Sequence, residues 1–563
     1  MKNKQLIECV PNFSEGRDLK IIEKITEEIK KVDGVKLLDV DPGKATNRTV
    51  VTFVGEPEPV IEAAFLAIKK ASELIDMSKH SGEHPRMGAT DVCPLIPIAN
   101  ITMEEVVVYA KKLAERAGSE LDIPFYLYEE AAQKPERKNL ATVRAGEYEG
   151  LSSKLKKPEW KPDFGPAKFN PRAGATAIGA RDFLVAYNIN LNTTSTRRAN
   201  SVAFDLREKG RIKREGDPVN GEIIRDEKGD PIRETGLLKS VKAIGWYIEE
   251  YGIAQVSMNL TNINITPLHV AFDEAVKSAH NRGMRVTGSE LIGLVPKKVL
   301  LDAGKFFLEK QERSTGIAER EIIHIAVKSL GLDELTPFDP NHKVIEYLLE
   351  DEAENVLVSK TLKEFADETA SESPAPGGGS IAAYAGALGA SLGTMVANLS
   401  AHKKGWDDRW EEFSYWAEAG QKLKNKMLFL VDEDTRSFNK IIDAIRLPKA
   451  TSEEKADRSA ALMMATKYAI EVPFQVMQTA FESFKLLEEM AKNGNPNSVS
   501  DAGVGALCAK AAVEGAYLNV IINCKDLKDA SFVNNITVQA ENLLNEAKTK
   551  EREIIQTVLE KIK

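Results

Sequence analysis

The sequence predicts an α+β amino-terminal half, two βαββαβ-like sandwich subdomains, followed by an all-α helical bundle domain. Three observations carry this. Short β-branched runs alternate with amphipathic helical stretches as far as Gly288. The same element order occurs twice within that half. From Thr361 onward strand signals vanish and a 3.6-residue apolar period runs to the end. At 563 residues the chain exceeds what one core supports, so roughly two to four domains are expected. A hydrophobic content of 43% with 29% charged residues fits a soluble globular protein. The net charge of −9 argues against a nucleic-acid partner with a broad basic footprint. Cys9, Cys93, Cys508 and Cys524 fall in no C-x-x-C spacing, which suits buried thiols in a reducing, cytoplasmic setting.

In order, Gln5–Val10 reads as a strand, Asp18–Val32 as a helix with Leu19, Ile22, Ile25 and Ile29 on one face, and Val35–Val40 and Thr49–Val54 as strands. Pro57–Ile75 is a second helix and Asp91–Ile98 a fourth strand, with a helix at Met103–Ser119 and a strand at Phe125–Tyr128 beyond. The Pro/Trp/Gly-rich stretch Pro158–Pro166 interrupts the periodicity before a second unit. That unit reads Phe183–Leu191 strand, Thr194–Glu208 helix, Ala243–Glu249 and Gln255–Leu260 strands, Pro267–Asn281 helix and Arg285–Gly288 strand. A polar hairpin is expected at Asp217–Glu234. The implied domains are 1–182, 183–331, a linker at 332–360, and 361–563. In the last, Thr361-x-x-Glu364 is a capping box, and helices are expected over 380–400, 407–446, 452–470, 473–493, 498–524 and 528–561. Ser373–Ala401 carries no charge, but its larger apolar residues follow one stripe among Ala, Gly and Ser. That is the pattern of a closely packed bundle helix, and no membrane span is expected. The apolar run at the amino terminus is too short for a signal peptide.

Chemistry concentrates in His80-Ser-Gly-Glu-His-Pro-Arg86, which holds two of the seven histidines with a carboxylate and a guanidinium. His80-x-x-Glu-His84 matches an inverted zinc-protease pattern, but Gly82 and Pro85 disfavour the helix such a site needs, so no metal is expected. An imidazole here can take a proton from an attacking nitrogen, and Arg86 can hold an anionic substrate. The plainer readings are two loop histidines capping a turn and a solvated Arg86. The loop Gly165, Pro166, Ala167, Lys168, Phe169, Asn170, Pro171, Arg172, Ala173, Gly174 can stack a flat heterocycle on Phe169 and pair a carboxylate, or can simply be a linker. Gly377, Gly378, Gly379 and Ser380 precede a helix and form an anion cradle or a flexible cap, without the Gly-Lys-Ser/Thr of a triphosphate loop. Asp432 and Asp434 lie mid-helix, where one can face the interior with a raised pKa or both can be solvated.

Glu8–Gly16, Asn47-Arg-Thr-Val50, Gly82–Gly88, Arg144–Tyr148 and Asp163–Pro166 resemble glutamate formimidoyltransferase. Ala375–Ser380, Arg446-Leu-Pro448 and Asp501 with its flanks resemble formimidoyltetrahydrofolate cyclodeaminase. In this order, over nearly the whole chain, they resemble the bifunctional formimidoyltransferase-cyclodeaminase family of histidine degradation. The resemblance implies transfer of a formimidoyl group from N-formimidoyl-L-glutamate to tetrahydrofolate. Closure to 5,10-methenyltetrahydrofolate with loss of ammonia then follows. It places the transferase on 1–331 and the cyclodeaminase on 361–563. It also singles out His84 over His80 as general base, Asp434 as acid/base, and Gly165–Gly174 as the folate loop; Lys168 and Arg172 as individual contacts are our own inference. Tetrahydrofolate as a polyglutamylated co-substrate, no metal, and a homo-oligomer built from dimers follow from it. Arg197, Arg198, Arg207, Lys209, Arg211, Lys213 and Arg214 can hold a polyglutamate tail or be a solvated face. Two alternatives differ in chemistry: a formyl donor or 5-formyltetrahydrofolate at the transferase, and a non-catalytic reduced-folate-binding protein.

Overall fold

The computed structural model describes residues 5–44, 46–82, 85–216, 221–349, 356–525 and 527–563. An amino-terminal region of sheets and helices is followed by a helical carboxy-terminal region. The chain divides into two compact units, Met1–Val299 with Leu330–Leu349, and Leu300–Ser329 with Glu350–Lys563.

The first unit contains two principal sheets. One comprises β1 (Leu6–Cys9), β2 (Asn12–Phe13), β3 (Val35–Gly43), β4 (Arg48–Gly55), β5 (Thr90–Ala99), β6 (Phe125–Glu129) and β7 (Thr176–Ala180). β1 and β2 are successive pieces of one extended path, and each pairs antiparallel with both β4 and β5. Pro11, which has no N–H to give a ladder, marks the break between them. β7 then joins β5 to β6 in parallel. Ile7, Cys9, Phe53, Cys93 and Leu95 face a core closed by helices Leu19–Lys30, Pro57–Leu74 and Met103–Glu120. After β8 (Val185–Leu191) comes a short ribbon, β9 (Arg211–Ile212) with β10 (Arg233–Glu234). The second sheet continues with β11 (Val241–Ile248), β12 (Ile253–Leu260) and β13 (Val286–Ile292), in the antiparallel order β11-β12-β8-β13.

Several expectations need correction. Thr176–Ala180 is a strand, although its Ala and Gly residues carry little β signal. Helices occupy Lys297–Glu309 and Glu319–Leu330, where no element was expected. Leu300–Ser329 belongs to the helical unit. There Gly316 sits against the Ala417 backbone, Thr315 donates to Glu418 at 2.8 Å, and Lys305 pairs with Glu418 at 2.7 Å. Pro158–Pro166 is not an open break: fully buried Arg137 binds Asp163 at 2.6 Å and the carbonyls of Glu159 and Lys161. Of the expected polar hairpin, Asp217–Asn220 lie outside the described residues.

The long helices of the second unit are Gly378–Ala401, Trp410–Arg446, Ser452–Asn493, Val499–Cys524 and Ala530–Ile562. Ser452–Asn493 is one continuous helix, where two were expected over 452–470 and 473–493. Pro473 cannot donate to the Ala469 carbonyl, and the Asn523 side chain supplies that hydrogen bond at 2.7 Å. Gly378–Ala401 and Pro496–Cys524 are each long and apolar enough to cross a membrane by composition alone. Gly378–Ala401 buries its small face (Gly386, Ala387, Gly389, Ala390, Gly393), while Leu388, Met395 and Leu399 remain partly exposed. Small residues let the backbones approach: a Cβ on Gly389 would stand 2.8 Å from the Gly505 carbonyl oxygen. Gly389→Leu should therefore lower the stability of the helical unit by about 1–3 kcal/mol in denaturant unfolding. Unchanged stability would contradict this packing.

Candidate active sites

In the first unit, alternate residues of three neighbouring strands face one cleft of about 470 Å³: Glu8, Val10 and Asn12; Arg48, Val50 and Thr52; Val92 and Pro94. Asp41, Tyr128, Arg144, Arg181, Asn259 and Leu294 complete its walls. Beside it, Asp91 is fully buried between two arginines. Its Oδ2 receives Arg48 at 2.5 Å and Arg144 at 2.6 Å, and its Oδ1 accepts the Met87 backbone N–H at 3.0 Å. Arg48 also donates to Asn12 Oδ1 at 2.9 Å. Two cations thus share one carboxylate at the cleft wall. Burial brings the Arg48 guanidinium down to about 10; Asp91 opposes that and Arg144 adds to it.

The preceding residue is equally constrained. Asn47 has a left-handed backbone (φ 49°), accepts the Gly16 N–H on its side-chain oxygen and donates to the Ser81 carbonyl. Its own carbonyl lies 2.9 Å from His80 Nε2, while Arg86 Nε donates to His80 Nδ1 at 3.3 Å. This arrangement fits a neutral imidazole with its proton on Nε2. Burial, reinforced by Arg86, lowers the His80 pKa, although the Asn47 carbonyl opposes it. Both His80 nitrogens are thus committed to holding the loop. Glu83 and His84 lie outside the described residues. On either side, a Cβ on Gly82 would stand 2.3 Å from the Thr46 carbonyl oxygen, and the Pro85 carbonyl accepts from Arg48 at 3.5 Å.

Arg86 is buried and already engaged by Glu149 at 2.7 Å and Glu147 at 3.2 Å, so an anionic ligand would have to compete with them. His80, Gly82, Arg86, Gly146, Glu147 and Glu149 line a shallow depression of about 550 Å³. The Gly165–Gly174 loop is ordered by Asn170, whose side chain accepts the N–H groups of Arg172 and Ala173. Phe169 packs against Tyr148 with ring centroids 5.5 Å apart, and the Tyr148 hydroxyl donates to the Pro171 carbonyl. Arg172 donates to the Glu73 carbonyl, and Lys168 is exposed. Gly174 bridges Gly88, which joins this loop to the His80–Gly88 segment. None of its residues lines the cleft.

In the helical unit, the predicted cradle and carboxylate meet. Gly377 caps helix Gly378–Ala401, and a Cβ on Gly379 would stand 2.1 Å from Asp434 Oδ1, so only glycine admits the carboxylate there. The Ser380 hydroxyl lies 3.1 Å from Asp434 Oδ2 and 2.8 Å from the Val431 carbonyl, sharing one proton between them. Burial raises the Asp434 pKa, opposed by the Ser380 hydroxyl and N–H. The Asn519 amide lies beside Gly378. Asp432 points elsewhere and accepts the N–H groups of Leu357 at 2.8 Å and Val358 at 3.3 Å. Helix phase therefore separates the two aspartates, one structural and one at the helix start.

Sequence reasoning did not single out Arg48, Asp91, Arg144, Glu8 or Arg181 as functional. The available signal was an acid inside an apolar strand, as in Leu6-Ile-Glu-Cys9 and Thr90-Asp-Val-Cys93. Asp91→Ala would leave two buried cations without their carboxylate and should cost about 3–5 kcal/mol in denaturant unfolding. A loss below 1 kcal/mol, as for an exposed pair, would contradict the cluster. Burial, partly offset by Arg181, raises the Glu8 carboxyl from 4.5 to about 7, so the folded state binds that proton more tightly than the unfolded one. Its contribution to stability falls as pH rises from about 4.5 through about 7. Chemical denaturation at pH 5 and pH 8 should show a larger loss for the wild type than for Glu8→Gln. Equal losses would contradict that assignment.

Three family signatures cover nearly all of this sequence. The formiminotransferase domain, N-terminal subdomain, matches residues 6–181, the formiminotransferase domain matches 186–350, and formiminotransferase-cyclodeaminase matches 361–542. The mouse (Mus musculus) formimidoyltransferase-cyclodeaminase is 45% identical over 546 residues, 97% of each chain. A glutamate formimidoyltransferase of Streptococcus pyogenes is 43% identical over 55% of this chain and 95% of its own. A methenyltetrahydrofolate cyclohydrolase of Methylorubrum extorquens is 37% identical over 36% of this chain and 98% of its own. With the cation-walled cleft and the glycine-framed aspartate falling in separately matched regions, the chain belongs to the formimidoyltransferase-cyclodeaminase family.

Proposed function

We propose that the chain carries out two consecutive folate reactions. It transfers the formimidoyl group of N-formimidoyl-L-glutamate to N5 of tetrahydrofolate, then closes the product to 5,10-methenyltetrahydrofolate with loss of ammonia. The observation that carries this is full-length similarity to bifunctional relatives, with separate half-chain relatives matching each region. Residues 1–331 host the transfer, with Leu300–Ser329 packed in the helical unit, 332–360 link, and 361–563 host the closure.

In the transfer, N5 attacks the formimidoyl carbon, loses its proton to His84, and the glutamate nitrogen leaves protonated. Arg48 and Arg144, two guanidinium groups at the cleft wall, suit a carboxylate of the donor. Burial, reinforced by Arg86, keeps His80 neutral, Arg86 and Asn47 hold the loop in place, and Gly165–Gly174 supports that loop while offering Phe169 and Lys168 to folate. In the closure, N10 attacks the same carbon while its proton passes through Asp434 to the departing nitrogen. A second proton from solvent completes ammonia and leaves the cationic methenyl product. A carboxyl with a raised pKa suits a group that must both accept and donate. The Gly377–Ser380 helix start holds Asp434 in register for that step.

The reduced folate is a polyglutamylated co-substrate, and neither step needs a metal. A homo-oligomer built from dimers is supported by the partly exposed apolar stripe of Leu388, Met395 and Leu399. A cytoplasmic location suits this soluble metabolism. His84→Ala should abolish transfer yet keep closure of supplied 5-formimidoyltetrahydrofolate, and Asp434→Asn should do the reverse, each by at least 100-fold on the order expected for a proton-transfer group. Near-ultraviolet absorbance of the methenyl product and ammonia release report both steps. Retention of both activities in both variants would overturn the assignment.

A further inference from the structure

Glu8 is the most unusual group in the cleft. It sits on β1 between β4 and β5, opposite Val54 and Ile96 in register. Its neighbours Ile7 and Cys9 face the apolar core, while Glu8 itself turns into the cleft. It is 3% exposed, and burial and the Arg181 charge act on its carboxyl with no hydrogen bond among them. Arg181 acts on it electrostatically. A buried carboxylate without donors is costly in the empty protein and becomes favourable when a ligand supplies them. Burial leaves it at about 7, so a ligand with two donors would draw it into its ionised form.

The remaining walls say what kind of ligand fits. Tyr128, Phe183 and Leu294 provide aromatic and apolar surface for a flat ring. Toward β2 the strand path leads to Asn12, Arg48 and the Asp91 cluster, where the Pro85 carbonyl is tied down. A tetrahydropterin carries N3–H and its 2-amino group as parallel donors on one edge, and N5 on the other side of the bicycle. We propose that the Glu8 carboxylate receives N3–H and the 2-amino group of the reduced folate as a bidentate pair, fixing the orientation of the pterin in the cleft. This rests on the transferase reading above and makes Glu8 a substrate-positioning, specificity-determining residue; the transferred proton does not pass through it.

The test is steady-state transfer by the full-length chain, with closure of supplied 5-formimidoyltetrahydrofolate as an internal control. Glu8→Gln should raise KM for tetrahydrofolate on the order of tenfold or more, because a charge-assisted pair becomes an amide with one opposed donor. KM for N-formimidoyl-L-glutamate and the closure rate should stay within about twofold, the scatter of remote, uncoupled sites. A 2-desamino-2-methyl tetrahydrofolate should lose a similar factor with the wild type and little more with Glu8→Gln, since both changes remove one interaction. The analogue measurement on the wild type alone decides the matter if the variant does not fold. Equal KM values for the two folates, or independent multiplying losses in the variant, would overturn the role of Glu8 while leaving transferase activity intact. A wild type that transfers nothing would overturn the transferase reading itself.

Discussion

Asp91 is a single carboxylate buried in a sheet, and the architecture of the first unit's site depends on it. Without it, Arg48 on β4 and Arg144 at the end of a short helix would bring two guanidinium groups together out of water. With it, β4, β5 and that helix are locked in register, and the Met87 N–H is held by the same side chain. The reach extends further. Arg48 fixes Asn12 and the Pro85 carbonyl, and adjacent Asn47 fixes Gly16, Ser81 and His80. One buried carboxylate thus sets both the shape of the cleft and the placement of two guanidinium groups on its wall.

The helical unit reaches the same end by steric means. Glycine at 379 lets Asp434 touch the start of a helix, and Ser380 binds it there from the same turn. Small residues along Gly378–Ala401 allow close helix approach, which in turn fixes the phase that places Asp434 inward and Asp432 on the Leu357–Val358 backbone. Raised pKa and rigid placement therefore share one cause, desolvation within a tightly packed bundle.

Much of this was legible in the residues. Long amphipathic helices and β-branched strands announced themselves by period, and the Gly377–Ser380 cradle and Asp434 were both visible as candidates. What escaped depended on distant partners. Thr176–Ala180 becomes a strand because β5 and β6 flank it, whatever its weak local preference. Ser452–Asn493 continues through Pro473 because Asn523, fifty residues on, supplies the missing donor. Leu300–Ser329 belongs to the second unit, where Thr315 packs on Ser414 and Glu418, partners about a hundred residues away that no local pattern reveals. The Arg48–Asp91–Arg144 cluster joins residues 43 and 53 positions apart, and no local pattern reveals such a pairing.

The central claim is that one carbon passes through both units of this chain. Donor labelled with ¹³C at the formimidoyl carbon, mixed with tetrahydrofolate and the full-length protein, tests it most directly by NMR. The label is expected to leave the donor, appear transiently as 5-formimidoyltetrahydrofolate, and accumulate as the methenyl carbon in step with ammonia. Label that remains on the donor, or that emerges as free formate without a folate-bound intermediate, would contradict it.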